Sequence, residues 1–277
     1  MMKLLAFAFL FFTAQLAPAA DASTVSVRSS GMSTNREAGI LLPTPVARLT
    51  PPLIINSHLS ADGKFRFVFD STQAPELTAW SEKELMPVIL EWYPKLVALL
   101  PSDGYCAPEL IELEFRNDIR LPAHTGGYKI SLNAPWIASE LQGEAKGCVV
   151  HELCHVVQNY RQVLRTNPQA TLSPSWVTEG LADYIRWFLY EPQSKGAVIQ
   201  DASQAKHDAS YRITANFFDW VVTTQDKDLP QQLNTAAREG RYSDALWKSW
   251  TGKTVSELAA KWKQSIEVRQ ARRPGRE

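Results

Sequence analysis

The chain has 277 residues, of which 45% are hydrophobic and 21% are charged. This composition is ordinary for a folded globular protein and excludes a disordered chain. The 29 basic residues are balanced by 29 acidic residues, which argues against capture of nucleic acid or of an anionic membrane as the main function.

The first 19 residues have the pattern of a secretory signal peptide. Lys3 supplies the positive start, residues 4–16 are almost entirely apolar, and Ala17-Pro18-Ala19 has the small-residue spacing of a cleavage site. The apolar run is shorter than the roughly 18–20 residues that a membrane-spanning helix needs. We therefore expect cleavage, secretion to the extracellular space or the periplasm, and no membrane span.

Export places the three cysteines in an oxidising compartment. Cys148 and Cys154 are six residues apart on a predicted helix, a rise of about 9 Å, which is too far for a disulfide. A disulfide, if one forms, therefore joins Cys106 to one of the other two. The alternative is three buried thiols.

The mature chain begins without regular patterning. Residues 20–60 are rich in Ser, Thr and Pro and predict a loose N-terminal arm. We expect the folded domain over residues 61–270, followed by a basic tail over residues 271–277.

Three short segments alternate apolar and polar residues, as half-buried strands do. They are Lys64–Phe69, Glu109–Phe115 and Tyr128–Leu132. Between the first two, a capping box that starts at Ser81 predicts the beginning of a helix. Pro87 and Pro94 predict a kink or a break within that helix.

From Pro135 onwards the apolar spacing is helical. Helices are expected near residues 144–161, 174–190, 208–223, 229–239, 243–250 and 254–270. Thr254 and Glu257 form a second capping box at the start of the last of these. A β-rich front followed by a helical back predicts an α+β fold.

Residues 151–155 have the sequence H-E-L-C-H. On a helix, side chains four residues apart project from one face, so His151 and His155 can bind one divalent ion, for which Zn²⁺ is the usual choice. Glu152 then lies beside the metal, where it can act as general base on a metal-bound water. The alternative is a pair of ordinary core or surface histidines.

A second pair of residues lies on the next predicted helix. Glu179 and Asp183 are also four apart, and a catalytic zinc needs a third protein ligand, which Glu179 can supply. Asp183 can accept the other ring N–H of a ligating histidine and so fix its tautomer. The alternative is two acids on a solvated face, but the helix is apolar around them.

The two motifs together, H-E-L-C-H-V-V-Q and W-x-x-E-G-L-A-D-Y, resemble the basic secretory protein family, zinc metallopeptidases of plants and bacteria. The resemblance extends from about Phe65 to Ile266. It implies a gluzincin-like zincin fold, with a small β-sheet subdomain, an active-site helix that carries HExxH and a helical C-terminal part. It also implies that Glu179 is the third zinc ligand.

Tyr211 is the candidate donor to the oxyanion, because metal hydrolases of this kind set a Tyr or His opposite the base. It lies in a stretch, Y-R-I-T-A, that resembles the family at this place. The alternative is that Tyr211 only packs, which leaves His124 or His207 for the role. His124 lies in a predicted loop, Pro122–Gly127, which precedes Tyr128–Leu132, our candidate for the edge strand that pairs with an extended substrate.

These observations predict a secreted zinc-dependent endopeptidase with a peptide or protein substrate. Glu152 would take the proton of the attacking water and pass it to the leaving amine. Two other functions stay open: a non-catalytic binding protein with a structural zinc site, and a zinc amidase that acts on cell-wall peptides.

Overall fold

The first part of the folded chain forms a small mixed sheet. A computed structural model describes residues 52–272, and within them lie five strands. They are β1 (Ile55–Leu59), β2 (Arg66–Asp70), β3 (Leu110–Arg116), β4 (Ala123–Gly126) and β5 (Lys129–Asn133). Their order across the sheet is β1-β2-β3-β5-β4. The two outer pairs are antiparallel, while β2, β3 and β5 run parallel.

The remainder of the described chain is largely helical. The α-helices are α1 (Thr78–Trp80), α2 (Met86–Leu99), α3 (Ala134–Ser139), α4 (Ala145–Gln158), α5 (Ser175–Tyr184), α6 (Tyr211–Thr224), α7 (Leu229–Arg238), α8 (Ala245–Thr251) and α9 (Val255–Ala271). A π-helical turn over Ile185–Tyr190 extends α5. The α+β class is therefore confirmed, and the predicted helices lie close to their observed positions.

The predicted alternation in the central strands is confirmed. In β3, Ile111, Leu113 and Phe115 are buried on one face of the sheet. Phe67 in β2 is also buried, and the ring of Tyr93 from α2 packs edge-on against it. Through Tyr93, α2 thus packs against the apolar face of the sheet.

Two strands were not predicted. β1 lies within residues 20–60, so the predicted loose arm extends too far towards the C-terminus; its Ile55 and Leu59 are each 51% exposed, which leaves little periodic signal. β4 lies in the stretch that was predicted as a loop before Tyr128–Leu132. Its sequence, A-H-T-G, has little intrinsic strand preference, and it forms by pairing with β5 through a turn at Gly127, whose φ is +65°.

The edge-strand prediction was therefore wrong in detail. β5, which contains most of Tyr128–Leu132, lies between β3 and β4. The edge strand on this side of the sheet is β4. It pairs with β5 on one side and, among the described residues, with no strand on the other. His124 lies on this edge strand and is exposed.

The predicted helix start at Ser81 was also wrong. The chain is already helical from Pro75 onwards, so the backbone N–H of Ser81 donates to Thr78 and needs no cap. Pro94 lies inside α2 without ending it, and the helix runs on to Leu99. The irregularity occurs instead just before Pro87, as a π-helical turn, where the missing proline N–H disturbs the regular ladder. The second capping box, at Thr254 and Glu257, is confirmed.

The three cysteines are free. Cys148 and Cys154 are buried in α4, as the single-helix interpretation requires, whereas Cys106 is exposed. The structure therefore contradicts both predictions. Among residues 52–272 it has no disulfide through Cys106, and only two of the three thiols are buried.

The cleavage site and residues 273–277 of the basic tail lie outside the described residues. Among residues 52–272, no helix has both the length and the apolar character needed to cross a membrane.

Candidate metal centre and active site

The H-E-L-C-H sequence lies on α4, in the interior of the molecule. Every residue of this helix is buried except Lys146 and His155. One helical turn separates His151 and His155, so their rings meet edge to face with centroids 4.6 Å apart. Their Nε2 atoms lie 2.9 Å from one another.

Glu179 reaches the same point from α5. Its Oε2 lies 3.2 Å from Nε2 of His151 and 3.2 Å from Nε2 of His155. Three potential ligand atoms, one from each residue, thus lie within 4.8 Å of one another. The structure therefore brings together the three residues that were predicted as metal ligands.

The glycine after Glu179 allows the close helix packing at this point. A Cβ atom on Gly180 would lie 2.1 Å from Cγ2 of Thr214 on α6. Only a residue without a side chain lets the two helices approach so closely. In α5, Glu179 thus supplies a potential ligand, and Gly180 next to it allows the close approach of α6, the helix that carries Tyr211.

Asp183 supports His151 from one turn further along α5. Its Oδ1 lies 2.7 Å from Nδ1 of His151, and both side chains are buried. Since a carboxylate can only accept, Nδ1 of His151 carries the proton and Nε2 is directed towards Glu179. The structure places Asp183 where its spacing from Glu179 predicted.

Gln158 supports His155, and the sequence analysis did not select it. Its Oε1 lies 2.6 Å from Nδ1 of His155, while its Nε2 donates to the carbonyl of Thr178 at 2.9 Å. The bond to Thr178 fixes the orientation of the amide, so its oxygen accepts from His155. The signal that could have found Gln158 is its position three residues after His155, on the same helix face.

Glu152 is buried beside the histidines and has a partner on the edge strand. The hydroxyl of Thr125 on β4 donates to Oε2 of Glu152 at 2.6 Å. Thr125 was also not selected, because the contact spans 27 residues and depends on a strand that the sequence does not predict. The charge of Glu152 contributes to raising the pKa of both histidines.

The carboxylates of the cluster stabilise positive charge on the two histidine rings. Burial lowers the pKa of His151, but hydrogen bonds and charge from Asp183 and Glu179 outweigh it and raise the pKa to about 10. Burial also lowers the pKa of His155, but the hydrogen bond with Glu179 outweighs burial, so the pKa of His155 is raised as well. Burial also disfavours the charged form of Glu179, yet its bonds to the two histidines hold the pKa of its carboxyl well below the usual range.

Tyr211 lies at the start of α6, next to this cluster. Ser210 caps the helix, and the phenol ring of Tyr211 stacks on His151 with centroids 6.2 Å apart. Burial and the nearby carboxylates, Glu179 first among them, raise the pKa of Tyr211 to about 12. The phenol thus keeps its proton and can donate a hydrogen bond, and the residue is 36% exposed.

An ion-pair network fixes the start of α6. Arg212, the residue after Tyr211, pairs with Glu144, which directly precedes α4, and Glu144 also binds Arg186 at 2.9 Å. The guanidinium groups of Arg186 and Arg212 lie 4.1 and 4.4 Å from the ring of Trp187. These contacts hold Tyr211 near the helix that carries the histidines.

Cys154 and His207 are not members of the three-residue ligand cluster. Cys154 is fully buried, and burial raises the pKa of its thiol. His207 packs edge-on against Trp176 with centroids 5.1 Å apart. Trp187 is a core residue.

The donor set fits a zinc ion. Two imidazole nitrogens and one carboxylate oxygen are ligands that catalytic zinc sites use, with a further position left for water. Both outward ring nitrogens bind oxygen acceptors, so in the neutral rings both inward nitrogens direct lone pairs to a common point. A cation would compete with protons for these nitrogens.

Comparison with known proteins identifies one family. A family model described as a peptidase of plants and bacteria matches residues 111–262, which is more than half of the chain. A search of curated proteins found no match.

Solved structures of metallopeptidases also align with this chain. An M1 zinc metallopeptidase from Deinococcus radiodurans does so with 14% identity and a TM-score of 0.45, covering 78% of this chain and 51% of its own. A variant of a two-domain M1 zinc metallopeptidase bound to L-tryptophan aligns with 16% identity and a TM-score of 0.40, covering 82% and 52% respectively. This chain therefore spans about half the length of the structures that it matches.

Proposed function

Because this chain belongs to the family of peptidases of plants and bacteria, we propose that it is a zinc-dependent peptidase centred on His151, His155 and Glu179. The observation that carries the proposal is the convergence of three ligand atoms, two of them on histidines whose outer nitrogens are already bonded. Such bonds orient a histidine and raise its basicity as a ligand. Zinc bound there would supply Lewis acidity, which acidifies water and polarises a carbonyl.

Glu152 is the general base of the proposed reaction. Its carboxylate takes a proton from the water that attacks the scissile carbonyl carbon. It then passes that proton to the nitrogen of the leaving amine as the C–N bond breaks. The buried position of Glu152 between the histidines and β4 supports this role.

Tyr211 is the proposed donor to the oxyanion. Charge grows on the carbonyl oxygen in the transition state, and a preorganised donor stabilises it. The position of Tyr211 over His151, together with a phenol that keeps its proton at neutral pH, supports this role.

The finer points of the proposal concern the bounds of the domain, the strand that pairs with the substrate and the destination of the protein. We assign the peptidase to a zincin-like domain over residues 61–270, extended at its start to include β1. The edge strand β4 replaces Tyr128–Leu132 as the strand along which an extended peptide or protein substrate would pair. The leader sequence supports secretion of this enzyme.

A structural zinc site in a binding protein is the main alternative. Closed structural sites usually have four protein ligands, whereas the His, Cys, Asp and Glu cluster found among residues 52–272 has three members. An acid placed directly beside the cluster also favours catalysis. An amidase of cell-wall peptides uses the same chemistry and differs only in substrate.

The deciding experiment is a peptide-library digest with Glu152→Gln beside the wild type, with bound zinc measured on both samples. The amide preserves the shape of the side chain but cannot act as a base. We expect Glu152→Gln to fold and retain zinc while losing hydrolysis. Full activity of that variant would refute the mechanism, and cleavage only of cell-wall peptides by the wild type would favour the amidase.

A further inference from the structure

We infer that Thr125 is a positioning residue for Glu152, which it holds in one orientation from the edge strand of the sheet. The inference rests on the proposed function, in which Glu152 is the general base. The distance of 2.6 Å between Oγ1 of Thr125 and Oε2 of Glu152 is the short kind that a hydroxyl makes to an ionised carboxylate. The same hydroxyl also lies 3.1 Å from the backbone carbonyl of Glu152.

The pleat of β4 directs this hydroxyl towards α4. Successive side chains of a strand point to opposite faces, and in β4 Ala123 is buried, His124 exposed and Thr125 partly buried. Thr125 pairs with Ile130 of β5, a fully buried residue. Its backbone thus belongs to the outer edge of the sheet, while its side chain points inward to the base.

The hydrogen bond divides the two carboxylate oxygens of Glu152 between two tasks. Oε2 accepts from Thr125, which leaves Oε1 to take the proton from water. A glutamate side chain has several rotatable bonds, and an unrestrained carboxylate spends time in orientations that cannot react. Thr125 therefore contributes to the rate through its side chain, which orients the base, whereas the proposed pairing of β4 with a substrate uses the backbone of the strand.

Two substitutions separate this role from a purely structural one. Thr125→Val keeps the branched shape and strand preference but removes the hydroxyl, whereas Thr125→Ser keeps the hydroxyl and removes a methyl group. Thr125→Ala removes both and provides a second test that places no new apolar group beside Glu152. Thr223→Val on α6, whose hydroxyl donates to a carbonyl of its own helix, is the control for loss of a threonine hydroxyl elsewhere.

The experiment measures kcat, KM, bound zinc and the thermal midpoint of each variant with one peptide substrate. We expect Thr125→Val and Thr125→Ala to lose roughly 10–100-fold in kcat, the usual loss when the partner of an active-site group is removed. KM and zinc content should stay close to wild type, Thr125→Ser should restore most of kcat, and the control should match wild type. This split between kcat and KM would not arise from general loosening of the strand.

Three results would overturn the inference: a wild-type kcat in both hydroxyl-free variants, a Thr125→Ser variant as slow as Thr125→Val, or a loss that follows zinc content. The failure of the proposed function is a different result. In that case the zinc-loaded wild type would cleave no peptide, or Glu152→Gln would be fully active. An active wild type, an inactive Glu152→Gln and a normal Thr125→Val would refute the role of Thr125 alone.

Discussion

The two histidines of the cluster are held from outside by different chemistry. Nδ1 of His151 binds a carboxylate, Asp183, which lies 32 residues away on another helix. Nδ1 of His155 binds an amide, Gln158, which lies three residues away on the same helix. Both bonds are short, at 2.7 and 2.6 Å, so the difference between them is charge and origin rather than distance.

The two partners differ in what they do to the histidine ring. Both orient the ring, but only the carboxylate also changes its pKa by its charge. An amide oxygen fixes the ring of His155 and its tautomer without adding a charge. The carboxylate of Asp183 fixes His151 in the same way, and it also helps to raise the pKa of that ring. We therefore expect His151 to be the more basic of the two histidine ligands. Glu179 is the residue that contacts both histidines.

The largest effect on zinc binding is expected at Glu179, the residue that contacts both histidines. Glu179→Ala removes the ligand that lies 3.2 Å from both histidines, so zinc should be lost from the site as a whole. Zinc content after dialysis measures this, with Glu267→Ala on α9 as the control for loss of an exposed acid. Retention of zinc by Glu179→Ala, combined with complete loss from Asp183→Ala, would mean that the two acids have exchanged roles.

A large effect confined to kcat is expected on the His151 side. Tyr211→Phe keeps the ring that stacks on His151 and removes only the hydroxyl, so zinc and stability should be unchanged. Loss of one oxyanion donor typically lowers kcat by about 10²–10³, with little change in KM. Steady-state kinetics beside a Tyr190→Phe control would measure this, and a wild-type kcat would transfer the search to His124 or His207.

A smaller effect on zinc affinity is expected when both histidines are given an amide as their hydrogen-bond partner. Asp183→Asn replaces the carboxylate with an amide, as in Gln158, and should weaken zinc binding by roughly 10-fold, whereas Asp183→Ala should cost up to about 100-fold. Competition with a chromogenic chelator measures both. Equal affinities for Asp183→Asn and the wild type would mean that the charge of Asp183 has no role.

The smallest effect on zinc is expected from the reciprocal change. Gln158→Glu offers a carboxylate to His155, so zinc affinity should not fall below wild type. The carbonyl of Thr178 loses its donor, which should reduce stability by about 1–3 kcal/mol. Thermal unfolding and chelator competition on the same sample test both halves, and Gln158→Leu, which loses both bonds, should lower affinity as well as stability. Weaker zinc binding by Gln158→Glu would contradict the proposed role of charge.

The sequence by itself determined the features whose geometry one helix or one strand sets. Four-residue spacing places His151 beside His155 and Glu179 beside Asp183, because the helical repeat fixes those directions whatever surrounds them. Alternation in β3 and the capping box at Thr254 were readable for the same reason. Gln158 belongs to this class too, since its three-residue spacing from His155 is equally local.

The tertiary structure decided the features that join distant segments. Glu179 meets the histidines only because α5 packs against α4, and Gly180 lets α6 pack closely on α5. Thr125 meets Glu152 only because β4 forms at the edge of the sheet, in a sequence with little strand preference of its own. Local propensity was also overruled at Ser81, where helical residues upstream had already satisfied the backbone N–H. Contacts of this kind depend on how whole elements pack, and no short stretch of sequence contains that information.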